Sequence, residues 1–244
     1  MDLDNPVVQL CQRGMRAESE GRVDEAQRLF DEAWRIAADD YEACVAAHYV
    51  ARHQADPRER LRWNEECLRR ADLVGDERVA GFYPSLHLNL ARAYADLGRP
   101  DAAREQFRLA ARHLDRVPPG PYADWMRLAV ADGLRRCDPT VPPAHADLAA
   151  LVDRLRERGD LRSLALLLPA YQADLGGEAD RARLVATLQL LTASGWLADE
   201  EDRAVSRILA NLALPQVVPD RGADRQDRGA EPVAGATDER VVQG

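Results

Sequence analysis

Lysine is missing altogether: all 33 basic residues are arginine. That excludes a Walker-A phosphate loop, a kinase-type phosphate-binding lysine and a Schiff-base lysine, each of which needs an amine at a fixed place. Aromatic residues make up only 5% of the chain, and glycine supplies 15 of its 244 residues. The remaining mix, rich in Ala, Leu, Arg, Asp and Glu, favours helix throughout and leaves little for strands. Without a convincing strand, a dinucleotide or S-adenosylmethionine Rossmann site is not expected, and GxSxG, HExxH and EF-hand patterns are also lacking. No run approaches the roughly 18 apolar residues of a spanning helix, and the opening MDLDNP does not read as a secretory signal. Cys11, Cys44, Cys67 and Cys137 are spread widely without CxxC spacing. They read as reduced core residues, which predicts a cytoplasmic protein.

Hydrophobic residues reach 46%, so a real core is available, while the net charge of −9 argues against a nucleic-acid backbone as partner. The clearest organisation lies between Leu86 and Leu114. Leu86, Leu90, Ala91, Tyr94 and Leu97 recur at three- and four-residue steps, which places them on one helical face. Gly98 follows as a stop signal, Pro100 and Asp101 suit a new start, and Ala103, Phe107 and Ala110 form the facing stripe of a second helix. Small residues let the two backbones approach, with Phe107 and Tyr94 filling what remains.

The same pattern occurs earlier. Leu10, Gly14, Ala17 and Gly21, then Ala26, Phe30 and Ala33, stand 77 residues before His87, Ala91, Tyr94, Gly98, Ala103, Phe107 and Ala110. Five of these seven pairs are close in type, which marks an internal repeat. A longer unit fits between them: YEACVAAHYVARHQ, with Cys44, His48 and Ala51 in the core register, then a helix after Asp56-Pro57 with the stripe Leu61, Leu68 and Ala71.

This order of residues resembles the tetratricopeptide repeat (TPR) family, whose 34-residue unit is a helix–turn–helix. Counted from Pro84, the family's small residue falls on Ala91, its aromatic on Tyr94, its turn glycine on Gly98, and its A-x-x-x-F-x-x-A on Ala103, Phe107 and Ala110. His87 and Asp115 replace the family's early tryptophan and closing proline. The resemblance implies an all-α, right-handed superhelical array of antiparallel helix pairs, a solenoid of about eleven helices. Residues 1–117 would hold three TPR-like hairpins. Residues 118–213 would form less regular helical repeats or a capping region.

VPPGP and DPTVPP break this second part, and helices are expected near Ala144–Arg158, Leu161–Leu175, Glu178–Ser194 and Asp199–Leu212. Pro169 should kink its helix or end it early. Leu148, Val152, Leu155 and Gly159 match Leu184, Leu188, Leu191 and Gly195 at an offset of 36. Residues 214–244 lose all periodicity and read as a disordered tail.

In TPR arrays the first helices line a concave groove, and the resemblance assigns Tyr49, Arg52, His53, Ser85, Asn89 and Arg92 to that side. Arginine and asparagine there suit a peptide backbone or a carboxylate, and Tyr49 offers an apolar contact. Cys11 and Met15 occupy the groove face of the first unit, where the family's carboxylate clamp needs Lys/Asn-type residues. The expectation is a non-catalytic scaffold or adaptor, with another protein or an extended peptide segment as partner. No cofactor, metal, nucleic acid or membrane is expected, and homo-oligomerisation stays open. Two other classes remain: a peptide- or metabolite-sensing regulator of TPR type, and a helical enzyme using a His/Cys site drawn from Cys44, His48, His53, Cys67 and His87.

Overall fold

The computed structural model describes residues 3–137 and 143–213, with side chains from 146 onward in the second stretch. Among the described residues there are twelve α-helices and no strand. The first hairpin pairs α1 (Pro6–Ser19) with α2 (Val23–Ile36). Asn5 caps α1 by accepting from the Val7 and Val8 N–H groups, satisfying donors that a helix start otherwise leaves unpaired. The second pairs α3 (Asp40–Arg52) with α4 (Pro57–Val74), capped by Asp39 and Asp56. A four-residue helix, α5 (Glu77–Ala80), then leads into the third pair, α6 (Tyr83–Asp96) and α7 (Pro100–Arg112). It brings the total from the expected eleven to twelve, being too short to leave a periodic signature.

The turns of the first and third hairpins close identically. The Arg22 N–H bonds back to the Ala17 carbonyl at 2.8 Å and the Arg99 N–H to the Tyr94 carbonyl at 2.9 Å. Gly21 and Gly98 stand between at φ +76° and +68°, a conformation side chains resist. Above each turn sits a buried phenylalanine. Phe30 presses so closely on Gly14 that a Cβ there would fall 2.3 Å from its ring. Phe107, 4% exposed, meets Gly133 in the same way, at 2.1 Å. Its flanking Ala103 and Ala110 are fully buried, whereas Tyr94 is only half-buried and hands its hydroxyl to Glu65 on α4.

After a 3₁₀ turn at Leu114–Arg116 comes α8 (Pro121–Cys137), packed on α7 and α6 as α3 packs on α2 and α1. Between α3 and α6 the rule fails. These two do not pack closely on one another, because α6 rests instead on the 18-residue α4. A cleft opens there.

The second stretch holds α9 (Pro143–Glu157), α10 (Leu161–Gln172), α11 (Glu178–Ser194) and α12 (Asp199–Ala213). Their common core is leucine-rich: Leu148, Leu151, Leu155, Leu167, Leu184, Leu188, Leu191 and Ile208 are all but inaccessible. α10 runs through Pro169 for one more turn and stops at Gln172, three residues short of the expected Leu175. Gly159 and Gly195 both take positive φ at helix ends, as their shared offset suggests. Arg127 and Arg135 of α8 donate to the carbonyls of Ala173 and Gln172, fastening this bundle to the hairpins. The disordered tail expected over 214–244, and most of the DPTVPP break, lie outside the described residues.

Candidate functional site

The cleft between α3 and α6 gathers most of the residues expected there. Helical spacing puts Val45, His48, Tyr49 and Arg52 of α3 on one side, with Ser85, Asn89 and Arg92 of α6 opposite. They divide between two cavities. Tyr49 and Ser85 belong to an apolar one of about 280 Å³. Arg52, Asn89 and Arg92 belong to a polar one of about 370 Å³. His53 reaches neither: its Nε2 lies 2.8 Å from Glu18, and its ring packs on Phe30 at 5.2 Å. It holds α3 to α1.

The polar cavity owes much to α4, which adds Arg60 and Asn64. Two of its guanidinium groups are engaged, Arg60 with Asp96 at 3.3 Å and Arg52 with Glu18 at 3.0 Å. Arg92 forms no ion pair among the described residues and lies over the Trp125 ring, 5.4 Å from its centroid. The side-chain amides of Asn64, only 5% exposed, and Asn89 likewise find no hydrogen-bond partner among the described residues. Arg60 Nε is buried without one. Of these groups only Arg60 Nε is fully buried without a partner; the Asn64 and Asn89 amides and the Arg92 guanidinium remain accessible from the cavity and offer free donors to an incoming acceptor.

The neighbouring apolar cavity runs from Cys44 and Cys67 at α3 and α4 to Phe82, Val117 and Tyr122. Burial favours the uncharged forms of His48, Tyr49 and Cys67 here. Burial, reinforced by the Arg52 charge, pushes the His48 imidazole down to about 4. The Cys67 thiol is held well above its usual range by its contact with Cys44, 3.7 Å between sulfurs, and by burial. Burial also raises the Tyr49 phenol, whose hydroxyl rests on the Met15 sulfur at 3.2 Å.

The remaining histidine and cysteine candidates are dispersed. His87 bonds Gln106 at 2.8 Å and stacks with His113, and burial, partly offset by Gln106, lowers it. Among the described residues no group of three or more His, Cys, Asp or Glu is arranged to hold a metal ion. No described helix is long and apolar enough to cross a membrane.

Sequence reasoning missed Arg60, Asn64, Tyr122 and Trp125. Asn64 carried a usable signal, since it sits three residues after Leu61 and four before Leu68 on the apolar stripe of α4. Tyr122 and Trp125, 55% and 48% exposed, stack at 5.8 Å on the groove side of α8. Their role depends on α8 following α6 in the packing, which no local pattern reveals. No family model matches the chain, no curated protein matches its sequence, and no solved structure matches its fold.

Proposed function

We propose that this protein is a non-catalytic binding module of TPR type, a right-handed superhelical array whose inner face holds an extended, acidic segment of another protein. One observation carries the reading. In a chain of net charge −9, three arginines and two unpaired amides converge, against one carboxylate, Asp96, on a single cavity between α3, α4 and α6. Guanidinium groups bind carboxylates through paired N–H donors, and asparagine amides bond peptide groups from both sides. Beside this cationic end, Tyr49 and Tyr122 offer aromatic surface for an apolar side chain of the same segment. Four free, buried cysteines suit a reducing compartment, so the cytoplasm is the proposed location.

The test is a set of short extended peptides graded in charge, measured by fluorescence polarisation against the full chain. Acidic peptides should bind, with affinity falling as salt rises, and Arg92→Ala should weaken them by about tenfold. Equal binding of acidic and basic peptides, or an Arg92→Ala variant that binds as well as the parent, overturns the reading.

A further inference from the structure

The apolar cavity has a feature that an extended segment does not need. Its wall contains His48, and among the described residues neither ring nitrogen has a hydrogen-bond partner; the only ring contact is edge-on to Tyr49 at 5.2 Å. A neutral imidazole carries one donor and one acceptor, and leaving both idle in an apolar setting is unfavourable. The rest of the lining is mainly apolar: Val45, Leu86 and Val117 with the rings of Tyr49, Phe82 and Tyr122, beside the Cys44 and Cys67 thiols and a Ser85 hydroxyl already donated to the Phe82 carbonyl. At about 280 Å³ the space matches roughly nine water volumes, enough for a compact molecule of about ten non-hydrogen atoms.

We infer that this cavity is a small-molecule site, taking an uncharged ring compound with a hydroxyl group, of the phenol class, hydrogen-bonded to His48. The ring replaces water against apolar walls, and the hydroxyl donates to the free imidazole nitrogen. A carboxylate is disfavoured, because among the described residues no cationic side chain lines this cavity and an anion would be desolvated without a counter-charge. The cavity exists because α3 and α6 stand apart, and a bound ring would bridge them. The two cavities share no lining residue, so although Tyr49 and Tyr122 also face the proposed segment, His48→Phe reads this site and Arg92→Ala the arginine-lined one.

The experiment titrates the full chain, without any protein partner, with phenol, toluene and benzoate, followed by NMR. Phenol should give saturable shifts centred on His48, Tyr49, Ser85 and Tyr122, toluene weaker ones at the same residues, and benzoate none there. His48→Phe should weaken phenol by about tenfold and leave toluene unchanged, while His48→Gln, which keeps a donor and an acceptor, should restore phenol binding. The absence of saturable phenol shifts in the parent chain overturns the inference. So does benzoate binding as tightly as phenol, or a folded His48→Phe chain that binds phenol as the parent does. The ranking of the three compounds on the parent chain decides the matter even where a variant fails to fold.

Discussion

Residues 3–137 and residues 143–213 are both built from helices joined by glycine-stopped turns, yet they spend their apolar residues differently. In the second stretch leucines from all four helices meet in one continuous core. Its buried charges are paired: Arg158 joins Asp160 at 2.7 Å and Glu201 at 2.8 Å, Ser163 adds a hydrogen bond to Asp160, and Asp180 is met by Arg127 of α8 in the first stretch. Burial alone would raise the Asp160 carboxyl, but Ser163 and the nearby arginines outweigh it and hold the group below its usual value. In the first stretch the core is broken into smaller clusters, each bridging successive hairpins, and the cleft between α3 and α6 is left open with unpaired polar groups along it. The contrast is one of degree: the buried Arg154 Nε of the second stretch also lacks a partner, but in the cleft of the first stretch several unpaired polar groups gather around one open cavity.

The largest expected effect breaks the first stretch at its packing knob. Phe107→Ala should cost about 3–5 kcal/mol in urea unfolding, the usual range for emptying a buried aromatic site. A loss under about 1 kcal/mol would mean that Phe107 is not the contact holding α7 to α8.

Protonation of His48 should come next. Its folded value of about 4 lies below the ordinary 6.5, so the unfolded chain binds the proton more readily and acid destabilises the fold. Stability is unaffected above pH 6.5 and declines between there and pH 4, by about 3 kcal/mol at roughly 1.4 kcal/mol per pH unit. Glu66 responds in a separate, lower window. Hydrogen bonds from Arg69 and Arg70 hold it to about 2 from 4.5, so its contribution is lost only as pH falls through that range. Unfolding curves between pH 7 and pH 5 should therefore flatten in His48→Phe.

Arg158→Ala tests the second stretch. It would leave Asp160 and Glu201 without their shared partner at 6% and 5% side-chain exposure. Stranding a buried ion costs about 3–5 kcal/mol, and the 42% exposure of Arg158 reduces that to about 2. Thermal melting should show it, and Arg22→Ala, an exposed arginine in the first stretch, should by comparison change almost nothing.

The smallest effect is a balance of two terms. Gly14→Ala gains about 1 kcal/mol of helix propensity, but the new Cβ collides with the Phe30 ring, and overpacking costs about 1–3 kcal/mol. A net loss of about 1 kcal/mol by chemical denaturation is expected. A net gain would show that the ring moves aside at little cost.

The hairpins were legible in the sequence for a physical reason. Gly21 and Gly98 end helices through their own backbone freedom, and Phe30 and Phe107 announce themselves by regular spacing from alanines, so each signal is local. The second stretch was legible through its leucine period and its glycines, and Pro169 signalled a helix that stops early, one turn later at Gln172. The cleft was only half legible. Which side of α3 and α6 faces it follows from periodicity, but the separation of Tyr49 and Ser85 from Arg52, Asn89 and Arg92 into two cavities does not. That depends on the length of α4 and the placement of α5, which set how far α3 and α6 stand apart. His53 was misleading because its partner Glu18 lies 35 residues away.

The most direct test of the binding account is an amide shift map of the whole chain, titrated with the tightest acidic peptide from the graded set. The account predicts shifts concentrated in α3, α6 and the Arg60–Asn64 turn of α4, extending to Trp125, with α9 to α12 silent. Shifts confined to α9 to α12, or spread evenly over every acidic and basic surface, would contradict it.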